Sequence, residues 1–253
     1  MSVPVAFLPI WTISRRVCRE FGGVATFLKE LEASFDVEVV ESFALKGNKL
    51  VNPTWQAVAD RLAGLLPTDS HIVSMGGSVA PLMMALSRHD LRPRSIVAAG
   101  MWVPAGTLRA AGYSELADIA VATTAFPSSY PYVRTVTEGL AEAKQTRLAK
   151  LIDSEVEHSN ADSVSESFAA MNLLEEIGGK ITAPVLYLNS PLNVAGFAEM
   201  EDVFKKLVPD AEVGQLERWP TKLHEEQTGL DLASRVIPFV ERVEAQAGVR
   251  PQA

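Results

Sequence analysis

The segment His71-Ile-Val-Ser-Met-Gly-Gly-Ser-Val-Ala80 decides the fold. His71 to Met75 is a short, mostly apolar run of the kind that forms a strand buried on both faces of a parallel sheet. Two glycines and a serine break the run, and Val79 to Ser87 reads as a helix, so the chain passes from strand to helix through small residues. The same alternation continues outward on both sides. Upstream, Val3 to Leu8 is an apolar run ended by Pro9, and Phe21, Val24, Leu28, Leu31 and Phe35 recur at three- and four-residue steps, which predicts an amphipathic helix. Asp36–Ser42 predicts a strand, and Asn52–Pro53 an N-cap followed by a proline at the first helical position, with Val58, Leu62 and Leu65 on one face of the helix that follows. Downstream, Ser95–Ala99, Pro184–Asn189 and Glu212–Leu216 predict strands, and Ala198–Leu207 and Asp231–Val243 predict helices. Alternation of this sort builds an α/β domain with a mostly parallel sheet and helices on both faces.

The rhythm breaks between Ala105 and Lys180. Helical patterns at Thr137–Ile152 and Ser163–Ile177 fill that stretch and no convincing strand does, so residues 105–180 are expected as a helical cap inserted into one domain spanning residues 1–253.

Composition bounds the function. A chain of 253 residues with 47% hydrophobic content can bury a sizeable core. Its net charge of −8 leaves no basic stripe for a phosphate backbone or an anionic membrane surface, so neither nucleic acid nor membrane is an expected partner. The single cysteine, Cys18, excludes an intramolecular disulfide framework and fits a reducing compartment. Val3 to Ile13 is apolar, but Arg15–Arg16 follow it and no basic residue precedes it, the reverse of a secretory signal; the expected location is cytoplasmic. The four histidines are scattered, so no metal site and no cofactor are expected.

The strand, small residues and helix of His71–Ala80 resemble the nucleophile elbow of the α/β-hydrolase family, in which the nucleophile sits on a strained turn and needs small neighbours two residues before and after it. On that resemblance two serines compete. Ser74 begins Ser-Met-Gly-Gly, a string familiar at the family's nucleophile, but Ile72 would then crowd the turn and Pro81 would fall inside the helix at a cost of about 3 kcal/mol. Ser78 has Gly76 and Ala80 as its small neighbours and sets Pro81 in the first helical turn, and the steric argument favours it. The plainer reading of both serines is helix capping or an anion-binding turn. Neither G-x-G-x-x-G nor a P-loop lysine is present to support a nucleotide.

Family order places a base between the last strand and the closing helix, where His224 lies. His71, His89 and His158 read as packing or surface residues. The family's acid is missing: the strand ending at Leu188 is followed by Asn189-Ser-Pro-Leu-Asn193, and Ala99 by Gly100-Met-Trp-Val-Pro104. Asn193 is the candidate to orient a neutral imidazole, and Glu225, Glu226 and Asp231 read as acids near a helix N-terminus. The family's His-Gly after the first of these strands is replaced by Pro9-Ile10. The oxyanion donors expected from the resemblance are therefore the N–H groups of Trp11 and Val79, with Trp102, Met101, Phe126, Tyr130 and Tyr132 as pocket walls. The function these residues imply is hydrolysis of an ester, thioester or lactone bearing an apolar portion, with Ser78 as nucleophile and His224 as base. Two alternatives stand beside it on the degraded triad: lyase, cyclase or isomerase chemistry with His224 acting alone, and small-molecule binding without catalysis.

Overall fold

The computed structural model describes residues 3–10, 13–41, 54–101, 103–124, 145–157, 169–177, 179–190, 197–218 and 222–249. Six strands form one sheet: β1 (Pro4–Leu8), β2 (Asp36–Val39), β3 (His71–Met75), β4 (Ser95–Ala99), β5 (Val185–Asn189) and β6 (Glu212–Gln215), in the order β2-β1-β3-β4-β5-β6. Every pairing is parallel. Every residue of β3, β4 and β5 is buried, as expected of strands covered on both faces, whereas the edge strands β2 and β6 are partly exposed.

Side-chain alternation along the strands sorts the interior into two cores. Phe7, Val73, Met75, Val97 and Leu188 point to one face, which is closed by α1 (Arg15–Cys18), α2 (Gly22–Ser34), α7 (Thr146–Glu157) and α10 (Glu226–Val249). Ala6, Leu8, Ile72, Ile96 and Tyr187 point to the other, which is closed by α3 (Trp55–Leu65), α4 (Val79–Arg88), α5 (Ala105–Ala110), α6 (Ser114–Thr124), α8 (Leu173–Ile177) and α9 (Phe197–Leu207). On α2 the helical spacing of Val24, Phe27, Leu28 and Leu31 puts all four in the first core, each contributing about 1.5–3 kcal/mol by leaving water.

Several bounds differ from expectation. The helix expected to open at Asn52–Pro53 begins at Trp55, and its cap is Thr54, whose side chain accepts from the Ala57 N–H at 3.2 Å; residues 52–53 lie outside the described residues. Strand β2 ends at Val39, and Ser42 is outside the described residues. The closing helix starts at Glu226 instead of Asp231 and continues past Pro238 to Val249. Between β4 and β5 the described residues hold helices and no strand, and Met171–Asn172 is not helical, so Ser163–Ile177 is not one continuous helix. These helices pack on both cores: Leu148, Ala149 and Ile152 of α7 join the first, and Leu108, Ala117, Leu173 and Ile177 the second. Helix α7 is tied to the segment after β1 by the Ser14 hydroxyl, which donates to Glu155 Oε1 at 2.7 Å, and by an ion pair between Arg147 and Glu20. Among the described residues no helix is long and apolar enough to cross a membrane.

Candidate functional site

Strand β3 leaves the sheet through a turn whose backbone is set by Gly76. Met75 is extended, Gly76 has φ +56°, and Gly76–Ser78 forms a single 3-10 turn that leads into α4. A non-glycine residue there would carry about 1–2 kcal/mol of left-handed strain. Its Cβ would lie 3.3 Å from Ile10 Cγ1, so Ile10 of the loop after β1 closes directly over the glycine. The N–H of Val79 donates to the Gly76 carbonyl and closes the turn.

Ser78 comes two residues later, with φ −76° and ψ −15°, an ordinary helical conformation without strain. It is 2% exposed, and its hydroxyl donates to the Pro9 carbonyl at 2.6 Å, which joins the loop after β1 to the turn after β3. Ser74 lies within β3, paired beside Leu8 and Ala98, and alternation with Ile72 turns it toward the second core. It is fully buried, and its Oγ has no hydrogen-bond partner among the described residues.

His224 lies half-buried in the segment between β6 and α10. That segment is wound tightly. Glu225 N–H and Thr228 Oγ1 both donate to the Lys222 carbonyl, at 2.9 and 2.6 Å, and Gly23 N–H of α2 donates to the Leu223 carbonyl at 2.9 Å. Glu225 is occupied by cations, with Lys222 at 3.0 Å and Arg218 at 2.9 Å, and these hold its carboxyl below the usual carboxylate range. At the end of β5 the buried Asn189 turns its Oδ1 back to accept from the Ser190 N–H at 2.9 Å, and Leu216 N–H donates to the Asn189 carbonyl at 2.7 Å. Trp11, Trp102 and Asn193, and the aromatics Phe126, Tyr130 and Tyr132, lie outside the described residues. His71 starts β3, at the opposite end of that strand from the turn, and His89 pairs with Asp60 at 2.8 Å on the surface; neither shares the site. Among the described residues no cluster of three His, Cys, Asp or Glu side chains is placed to hold a metal ion.

No protein-family model matches the sequence, and no curated protein matches it. Solved structures do match. An esterase from Exiguobacterium antarcticum superposes with a TM-score of 0.68 at 13% identity, over 95% of this chain and 93% of that one. An enol-lactonase from Burkholderia xenovorans gives 0.64 at 15% identity, over 95% and 92%. A haloalkane dehalogenase variant from Bradyrhizobium elkanii gives 0.65 at 12% identity, over 98% and 91%. The fold is that of the α/β hydrolases.

Within the α/β-hydrolase fold the nucleophile belongs on the strained residue that joins the central strand to the following helix. Here that residue is Gly76. Ser74 and Ser78 are the small neighbours two positions before and after it, so the steric pattern of the elbow is intact while its center carries no side chain. The structure therefore moves the elbow off Ser78, where the spacing of Gly76 and Ala80 had put it. Pro81 does sit in the first turn of α4, but the intervening 3-10 turn sets the bend two residues ahead of Ser78. Val79, expected as an oxyanion donor, has its N–H engaged by Gly76. The sequence reading missed Gly76 and Ile10, although φ > 0 at a strand-to-helix turn is itself a glycine signal.

Proposed function

We propose that this chain binds a small carbonyl compound with an apolar portion at the C-terminal ends of its strands and moves a proton there with His224 as base, without a serine nucleophile. The observation that carries this reading is Gly76 at the center of the elbow. Acyl transfer through an enzyme ester needs an oxygen nucleophile on that turn, and a glycine has none to offer. The hydroxyl of Ser78 is committed to Pro9, and that of Ser74 is buried within the sheet. A neutral imidazole can accept a proton unaided, which favours lyase, cyclase or isomerase chemistry. In this proposal residues 105–180 act as a cap that supplies the apolar side of the site. The buried, single Cys18 is compatible with the cytoplasm, where we take the chain to work.

One observation favours a second reading. Ser78 ends the buried 3-10 turn immediately before α4, and its hydroxyl would serve hydrolysis of an ester, thioester or lactone if it leaves Pro9; the structural neighbours include proteins named as esterases and an enol-lactonase. A fluorophosphonate probe separates the two. The first reading expects no adduct on Ser74 or Ser78, and His224→Ala abolishing proton transfer on small carbonyl compounds. An adduct on Ser78 that disappears in Ser78→Ala overturns it in favour of the hydrolase.

A further inference from the structure

The first turn of α2 and the segment that carries His224 meet where three glycines remove the side chains that would hold them apart. A Cβ built on Gly22 would lie 2.0 Å from the His224 carbonyl oxygen, 2.6 Å from its carbonyl carbon and 3.0 Å from its Cα. One on Gly23 would meet the carbonyl oxygens of Glu225 at 2.6 Å and Leu223 at 2.8 Å. One on Gly229, in the first turns of α10, would meet the Gly23 carbonyl oxygen at 2.1 Å. All of these obstacles are backbone atoms, so none can swing away as a flexible side-chain tip would. Within the His224 segment the Glu225 carbonyl accepts from Thr228 N–H, and Leu223, His224 and Glu225 lay three consecutive carbonyls against the start of a thirteen-residue helix, whose dipole is positive there. Gly23 N–H takes the first of these directly.

We propose that Gly22 is a positioning residue for His224: the absent side chain lets the His224 peptide seat on the N-terminus of α2, and that seat fixes where the imidazole stands. The inference rests on the reading that His224 is the working base. Geometry of this kind matters to a proton transfer because a displacement of about 1 Å can cost about 100-fold in rate. Gly22 has φ +21°, so a substitution there also strains the backbone, which adds to the displacement.

The experiment compares the imidazole NMR signals of the full chain at one fixed pH, in wild type and in Gly22→Ala. The expected result is that the His224 ring signals shift while those of His71 and His89 stay in place, with His224-dependent proton transfer down about 100-fold. A folded Gly22→Ala protein with unmoved His224 ring signals overturns the proposal. Should that variant fail to fold, amide exchange in the wild-type chain decides: the Gly23 N–H must exchange as slowly as amides of β3, and fast exchange shows that the seat does not persist. Failure of the function reading is seen separately, as unaltered proton transfer in His224→Ala, and leaves the NMR comparison intact.

Discussion

The Ser78 hydroxyl donates to the Pro9 carbonyl across 2.6 Å and sixty-nine residues of sequence, fastening the loop after β1 to the turn after β3. A hydroxyl used in this way stabilises the loop. Ser78→Ala leaves the buried Pro9 carbonyl without its donor, and a loss of about 1–3 kcal/mol in unfolding free energy is expected from urea titration. Stability unchanged within error would show that the bond does not persist in solution.

Gly76 makes the turn's strain measurable. Gly76→Ser should lower stability by about 1–2 kcal/mol, since it places a side chain at φ +56° and against Ile10. It should also be the variant in which a fluorophosphonate finds a serine, because it puts an oxygen on the positive-φ residue between central strand and helix, where the fold carries its nucleophile. Urea titration checks the first half and peptide mapping of the labelled protein the second, which an adduct at Ser78 in this variant would contradict.

His71 couples stability to pH. Its buried ring bonds Ser95 Oγ through Nδ1 at 2.7 Å and Glu244 Oε1 through Nε2 at 2.9 Å, and Arg94, itself held by Asp69, shares the same carboxylate oxygen at 2.9 Å. A carboxylate only accepts, so Nε2 carries the proton and Nδ1 accepts from Ser95. Burial is the main cause that holds the His71 imidazole below its usual 6.5, although Glu244 opposes it. The unfolded chain therefore takes up a proton first as pH falls: stability should be full above about 6.5 and decline as pH drops toward the folded-state value. Burial raises the Glu244 carboxyl, but bonds from His71 and Arg94 outweigh it and keep it below 4.5, which adds a further loss as pH falls from about 4.5 toward its folded value. Thermal melts across pH 4 to 8, in wild type and His71→Gln, test this. A slope just below pH 6.5 that survives the substitution would assign the acid sensitivity elsewhere.

Tyr187 stacks on Phe204 with ring centroids 4.1 Å apart, and its hydroxyl is buried with no hydrogen-bond partner among the described residues. Removing an orphaned hydroxyl while keeping the ring recovers a desolvation cost of about 1–3 kcal/mol, less whatever the small void costs. Tyr187→Phe is expected to melt at or above the wild-type temperature. A lower melting temperature would mean that the hydroxyl has a partner in solution.

The central strands were legible residue by residue. His71–Met75 and Ser95–Ala99 are buried on both faces, and a strand so placed reads as a mostly apolar run without polar alternation. The ends of helices were less so. Asp231 was the expected start of α10, yet Gly229 is already helical, kept as glycine by the Gly23 carbonyl that packs on it from another helix. Such a contact leaves no local signature. The elbow was misplaced for a different reason: the rule of small neighbours was applied to each serine in turn, although it fits Gly76, flanked by Ser74 and Ser78, equally well. A search for an attacking oxygen cannot find a position that has none.

The grip on α10 at both ends sets a schedule for synthesis. Its start is locked to α2 through Gly229 and Gly23, and Glu244 reaches His71 across 173 residues. Until α10 leaves the ribosome, Val24, Phe27, Leu28 and Leu31 of α2 have no lid over their apolar stripe, and His71 lacks its carboxylate. The first core therefore closes only after α10 has been made, through contacts of very long sequence separation, and until then the nascent chain carries an exposed greasy flank.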